Sequence, residues 1–421
     1  MRRKLLVLST PMIALLVVET ILFMSRDWFL PSFSRYEDGH EPAEINAPNS
    51  VPHGVVLPSE NITRYLEAIL TTQPSTLPTL ECPAVNITRY RTLQSMRPVD
   101  PAIKYFFALN LRQNLPLLPQ LMGSIIGTIR FLGPSRCVLS IVEGNSPDGT
   151  ADVLHALRPT LRDIGAAYYL KSSGVDPSEK DRIERLAQLR NEALAPLLDL
   201  HGKATSDTTV IFLNDVSACA EDILELVYQR TALGADMTCA MDWTHVFKHP
   251  TFYDVWVART IDGESFFDIP PDGNWDSAWN LFWNAQETRS RFFKQRPFQV
   301  FSCWNGATAF TAQPLLENIV RFRAASETSG ECRQGEPQLF CKDLWFNGYR
   351  RIAVVPSVNL EYSVEKGKQI KEAKGFTSDI VSKQSPAGDG IEWRLEPPEM
   401  VKCMPTWGNQ YWQSWNETLK A

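Results

Sequence analysis

The chain has 421 residues, 44% of them hydrophobic and 21% charged, with a formal net charge of −6. That balance excludes a disordered chain, which combines low hydrophobicity with high net charge, and no basic tract marks a nucleic-acid surface. The 8 cysteines include no C-x-x-C pair, which argues against a zinc ribbon and permits disulfides in an oxidising compartment.

Met1-Arg2-Arg3-Lys4 is basic, and Leu5 to Met24 is almost wholly apolar, with Glu19 as its one formal charge. A run of about 20 apolar residues spans a bilayer core, and basic residues stay on the cytoplasmic side. Residues 1–4 are therefore predicted as a cytoplasmic tail and 5–24 as a type II anchor, with the rest of the chain luminal. A cleaved signal peptide is the rival reading. The run is longer than that reading needs, and Arg26 and Trp28 follow it in place of a small-residue cleavage site. The triplets starting at Asn61, Asn86 and Asn416 fit the N-glycosylation pattern.

Residues 25–100 are rich in Pro, Ser, Thr, Asn and Glu and read as a stem. A short helix is expected at Asn61 to Thr71, where Tyr65, Leu66, Ile69 and Leu70 form a stripe. Residues 101–397 read as one α/β body, and 398–421 as a C-terminal extension. Within the body, predicted strands at 104–109, 136–142, 166–170, 209–213 and 236–241 alternate with helices at 117–132, 150–164, 178–200 and 219–233. This alternation implies a mostly parallel sheet with ligands beyond the carboxyl ends of its strands. After Met241 the pattern turns irregular and aromatic, with surfaces that would suit sugar rings. Cys332 and Cys341 close a short loop and are the expected disulfide. The strand-like cysteines read equally well as buried thiols.

Four predicted strands end in polar residues: Asn110 to Asn114, Glu143 to Thr150, Asn214-Asp215 and Asp242-Trp243. Each alone reads as a turn or cap, but their recurrence on one sheet edge makes a nucleotide crevice. Asp215 could hold Mg²⁺ or Mn²⁺ against a diphosphate, although the tripeptide is Asn-Asp-Val and not D-x-D; the alternative is a cap on the next helix. Arg190, mid-helix, could meet phosphates or lie on a solvated face. The Trp304-Asn305-Gly306 turn implies close backbone approach to a ligand. Glu336 and Asp343 are two helical turns apart on one face and could position an acceptor hydroxyl or stabilise an oxocarbenium-like centre, or form no more than a surface carboxylate pair. His245 and His249, four apart, are weak metal candidates.

Tyr105 to Asn110, Glu143 to Thr150, Leu189-Arg190-Asn191, Phe212 to Val216 with Cys219 and Glu221-Asp222, Cys239 to Trp243, Cys303 to Gly306 and Leu339 to Trp345 together resemble the fungal cryptococcal mannosyltransferase family. That family includes capsule-associated proteins and an α-1,3-mannosyltransferase. The resemblance implies a GT-A-like fold and retaining transfer of mannose from GDP-mannose to a mannose-containing glycan, with Mn²⁺ or Mg²⁺. Carried over by position, Asp215 is the implied metal site, with Asn110, Glu143, Asn145, Asp148, Arg190 and Asn214 around the donor. Asp242, Glu336 and Asp343 are the candidate catalytic carboxylates. A type II Golgi transferase is the expected whole. The alternative from another class is a secretory protein that binds or exports polysaccharide without catalysis, for which the missing D-x-D speaks.

Overall fold

A computed structural model describes residues 54–71, 75–94 and 102–419, apart from 179–180, 201, 247, 327, 329, 386–387 and 418. The predicted tail and anchor lie outside the described residues. Strands β1 (Ile103–Leu111) and β2 (Cys137–Glu143) are near-continuous apolar runs because both of their faces are covered. They are joined by β3 (Ala167–Ser172), β4 (Ala204–Leu213), β5 (Met237–Val246), β6 (His249–Phe252), β7 (Arg259–Thr260), β8 (Phe298–Ser302), β9 (Ala307–Thr311) and β10 (Ile352–Leu360). The sheet order is β3-β2-β1-β4-β9-β5-β10-β8-β7, with β6 paired to β5.

Strands β3, β2, β1 and β4 are parallel, as are β5 and β10. Strand β9 enters antiparallel between β4 and β5, and β6 and β8 are antiparallel to their neighbours. The mostly parallel sheet expected from the sequence is therefore found in β1 to β5. The antiparallel strands fall where strand–helix alternation lapsed in the sequence.

Helices α1 (Ser59–Leu70), α2 (Leu118–Leu132), α3 (Thr150–Ala156), α4 (Arg158–Asp163), α5 (Arg182–Asp199), α6 (Ala220–Ala232), α7 (Glu336–Phe346) and α8 (Val364–Lys374) flank the sheet. Successive side chains of β1 point to opposite faces, so Phe106 and Ala108 join one core while Tyr105, Phe107 and Leu109 join the other. The predicted helix over 150–164 is broken at Leu157, because Pro159 lacks the N–H that a continuous helix needs. The segment Leu115–Leu132 is apolar and long enough to cross a membrane, but it is mostly buried in the second core and packs on α1 and α6.

The expected stem, the C-terminal extension and the aromatic segment all pack into the body, and one cysteine pairing differs from the expectation. The predicted stem reaches into the body. Ile69, Tyr90 and Leu93 lie in the core, Asp152 accepts the N–H groups of Val55, Val56 and Leu57, and Cys82 is bonded to Cys219. The C-terminal extension folds as the hairpin β11 (Met400–Thr406) and β12 (Asn409–Ser414) and puts Val401 and Met404 into the core. The aromatic segment is mostly interior: Trp243, Phe252, Phe266, Phe267 and Phe282 are buried, and Trp279 and Tyr253 are exposed. Cys332 pairs with Cys403 and not with Cys341, while Cys239 pairs with Cys303. Cys341 and Cys137 are buried thiols. Sequence proximity misled here, because Cys341 faces into the core from α7 and donates to the Cys303 carbonyl.

Candidate active site

The carboxyl ends of β1, β4, β5 and β10 and the amino end of β9 share one edge of the sheet, and the polar residues of the sequence gather there. Asn110, with its amide turned to satisfy both of its groups, accepts from the Arg190 N–H at 3.2 Å and donates to the Leu189 carbonyl at 3.1 Å. It thereby locks β1 to α5. At the end of β2, Glu143 is buried and accepts the N–H groups of Asn145 (3.0 Å) and Ser146 (2.8 Å). Asp148 accepts from the Thr150 N–H and hydroxyl and from the Leu115 N–H. Both carboxylates thus organise the loops around them, and Asn145 is the exposed member of this cluster, at φ 52.

Asp215 does not cap the next helix, since that position is taken by Cys219 with Asp222 closing a capping box. Its Oδ2 accepts from Asn114 Nδ2 at 3.0 Å. Burial raises its carboxyl, while the Asn114 bond and the charge of Arg190 pull it down. The neighbouring Asn214 accepts from Trp304 Nε1 at 3.0 Å and donates its own N–H to the Gly306 carbonyl at 2.8 Å. Arg190 leaves the solvated-face reading behind. Its Nε donates to Glu336 at 2.7 Å, and its guanidinium lies 4.5 Å from the Trp304 ring centre and 5.2 Å from that of Phe212. Arginine suits such stacked sites because its delocalised charge is weakly hydrated.

The Trp-Asn-Gly turn approaches protein atoms closely. Gly306 has φ 80, and a Cβ there would lie 3.0 Å from Val216 and 3.3 Å from Asp242. Asp242 itself is fully buried. Its Oδ2 accepts from the Tyr362 hydroxyl, and its Oδ1 is buried without a hydrogen-bond partner. Asp254 faces it, accepting the Asn305 N–H at 2.9 Å. Burial pushes Asp254 up to about 6, with Glu336 adding to the rise and Arg190 opposing it. Burial, and then the charge of Asp254, raise Asp242 as well. Raised carboxyls gathered at a sheet edge are a mark of a reaction centre.

Glu336 and Asp343 share α7 but serve different clusters. Glu336 holds Arg190, whereas Asp343 accepts two bonds from Arg323 at 2.7 and 2.8 Å. His245 and His249 sit on the β5–β6 hairpin, not on a helix. Among the described residues, no group of three or more His, Cys, Asp or Glu is placed to hold a metal ion. Asp215 instead offers a single desolvated carboxylate. That suits a Mg²⁺ or Mn²⁺ shared with substrate phosphates and water, the usual arrangement for such ions.

Asp254 and Tyr362 are site residues that sequence reading did not single out. Asp254 lies in the aromatic stretch, where no periodicity marks it. Tyr362 follows the buried strand β10 in Leu360-Glu361-Tyr362, the same strand-end signal that found the other four clusters.

A strand-edge cluster of carboxylates around one stacked arginine marks a candidate reaction centre, and comparison with known proteins gives the class of the chain. Residues 104–343 match the family model described as cryptococcal mannosyltransferase 1. The chain is 38% identical over 321 residues to alpha-1,3-mannosyltransferase CMT1 of Cryptococcus neoformans, covering 72% of this chain and 68% of the relative. The chain therefore belongs to the cryptococcal mannosyltransferase family and is an α-1,3-mannosyltransferase-like glycosyltransferase. Fainter similarity extends to S. aureus TarS 1-349 in complex with UDP, with 12% identity, a TM-score of 0.36 and 68% of each chain covered. The mannosyltransferase PcManGT from Pyrobaculum calidifontis in complex with GDP-Man and Mn²⁺ is similar at 13% identity and a TM-score of 0.35, covering 71% of this chain and 72% of that one.

Proposed function

We propose that this enzyme has a GT-A-like fold and transfers mannose from GDP-mannose to a mannoside hydroxyl with retention, forming an α-1,3 linkage. The observation that carries this reading is Asp215, a desolvated carboxylate at the end of β4, steadied by Asn114 and in charge contact with Arg190. Asp215 would hold Mn²⁺ or Mg²⁺ together with the donor diphosphate. When bound, such a cation neutralises charge on a departing phosphate. Arg190, fixed by Glu336 and by the Trp304 and Phe212 rings, supplies a second, immobile positive charge for the diphosphate without reorganisation.

Retention has two routes, a double displacement or a short-lived ion pair with the acceptor entering on the departing face. Asp242 is fully buried, Glu336 is paired with Arg190, and Asp343 is held by Arg323. These engagements leave the three expected nucleophiles poorly placed and support the ion-pair route. The predicted anchor at 5–24 would tether the body inside the Golgi lumen, where donor and glycan acceptors meet.

The full chain in detergent, supplied with GDP-mannose, Mn²⁺ and α-mannobiose, is expected to form a trisaccharide. Asp215→Ala should lower transfer by more than about 100-fold and remove the Mn²⁺-dependent rise in melting temperature caused by GDP. An unchanged thermal shift in the variant defeats the metal assignment. Absence of both transfer and donor hydrolysis in the parent enzyme defeats the donor assignment.

A further inference from the structure

We propose that Asp254, and not the adjacent Asp242, is the catalytic carboxylate that receives the acceptor hydroxyl, with Asp242 and Tyr362 as its positioning residues. This rests on the transferase reading above and deepens it. The two carboxylates face each other but differ in access. Asp242 has no exposed surface, whereas Asp254 is only partly buried. A group without surface cannot touch a sugar, so contact falls to Asp254.

The framework around Asp254 fits that task. The Asn305 N–H fixes its Oδ2 from the Trp304-Asn305-Gly306 turn. Arg190 is a charge neighbour of both Asp254 and Asp215, so the donor end of the site and Asp254 share one cation. The next residue back in the chain, Tyr253, is exposed and packs edge-on against Tyr362 at 5.0 Å, forming an aromatic shoulder beside the carboxylate. Aromatic faces of this kind suit the C–H surface of a sugar ring. Behind the shoulder, Tyr362 donates to Asp242 Oδ2, which leaves Oδ1 as a buried, unpartnered oxygen in the wall of the site. The Tyr362–Asp242 bond thus holds the wall behind Asp254, and the Asn305 N–H holds Asp254 itself.

The step balances as follows. The acceptor oxygen forms a bond to C1 of mannose as its O–H bond breaks, and Asp254 takes the proton. The bond from C1 to the diphosphate oxygen breaks, and its electron pair leaves with GDP. The proton later passes from Asp254 to water. The charged and titratable groups facing Asp254 are Asp242 from β5, Glu336 and the Cys341 thiol from α7, Arg190 from α5 and Arg259 from β7, with Tyr362 behind Asp242. Burial holds the Asp254 carboxyl at about 6, so it is mostly ionised at neutral pH and ready to accept a proton.

The test measures transfer from GDP-mannose to α-mannobiose by the full chain against pH. Asp254→Asn is expected to lower kcat by about 100-fold or more, to keep the thermal shift with GDP and Mn²⁺, and to lose the acid limb near pH 6 expected of the parent enzyme. Formate should restore part of the activity of Asp254→Ala, which a misfolded protein cannot show. Three results overturn the assignment: Asp254→Asn within threefold of the parent, an unchanged acid limb in that variant, or a mannosylated Asp254 peptide, which would make it a nucleophile. A parent enzyme that turns over no GDP-mannose instead sinks the donor reading, and this assignment with it.

Discussion

Two clusters of buried charge sit at opposite ends of α7, and they are built on opposite rules. At the Glu336 end, Asp215, Asp254 and Glu336 lie around Arg190, with Asp242 against Asp254, but of these acids only Glu336 is ion-paired with the arginine. At the Asp343 end, Arg323 and Lys342 serve Glu331, Asp343 and Glu417 with short bonds. Burial alone would raise Glu331, but the bonds from Arg323 and Lys342 outweigh it and hold its carboxyl down to about 2. Asp254, partly buried beside other acids, is pushed up to about 6 by desolvation. A cluster in which every acid is bonded to a cation holds the fold together. A cluster whose acids are left without an ion-pair partner is the one kept for a ligand that brings positive charge, or for a proton in transit.

The largest test of this contrast is Glu331→Gln. It leaves Arg323 and Lys342 without their shared buried partner and should cost about 3–5 kcal/mol, read as a fall in the denaturation midpoint at pH 7. The sign with pH follows from the depressed carboxyl. Its contribution is complete above the unfolded value of about 4.3 and is lost as pH falls from there through about 2, so parent and variant should converge in acid. A loss of transfer per folded molecule in this variant would break the separation of the two clusters.

Asp254→Asn should move stability the other way. A carboxyl raised in the folded state stabilises fully below its unfolded value of about 3.9, and that contribution is lost as pH rises through about 6. The amide removes the charge that the fold tolerates poorly and keeps an acceptor for the Asn305 N–H. A gain of about 1–3 kcal/mol is expected at pH 8, with none at pH 4. Lower stability at pH 8 would place Asp254 among the structural carboxylates, alongside Glu331.

The difference between the clusters was partly legible in the sequence. Strands β1, β2 and β4 announced themselves as apolar runs, and polar residues at their ends pointed to the correct sheet edge. Asn110, Asn214 and Asp215 lie at the strand ends where a local signal placed them, and their roles in the site remain as proposed. The division of labour on α7 was not legible. Glu336 and Asp343 share a helix face by spacing, yet each is claimed by an arginine distant in sequence, Arg190 in one case and Arg323 in the other. Nothing local encodes such pairings, since they depend on where α5 and the segment before α7 pack. The same limit hid Asp254 and made residues 54–94 resemble a stem. Prolines there mark turns, but it is Cys219 on the far side of β4 that binds Cys82 to the body.

The smallest effect comes from Cys341, which stands on α7 between the two clusters. The sequence joined it to Cys332, a bond that would have tied α7 to the segment carrying Glu331. The structure gives Cys332 to Cys403 and leaves Cys341 a buried thiol whose titration burial pushes up to about 12. Cys341→Ala removes one buried sulfur and no cross-link, so the cost should be about 1 kcal/mol, well below the 2–5 kcal/mol typical of a lost disulfide. Thiol titration in denaturant should fall from two groups to one, since Cys137 remains. A rise in free thiol in the variant would mean that Cys341 is bonded after all. In that case the ion-paired cluster would owe part of its rigidity to a covalent tie and not to its ion pairs.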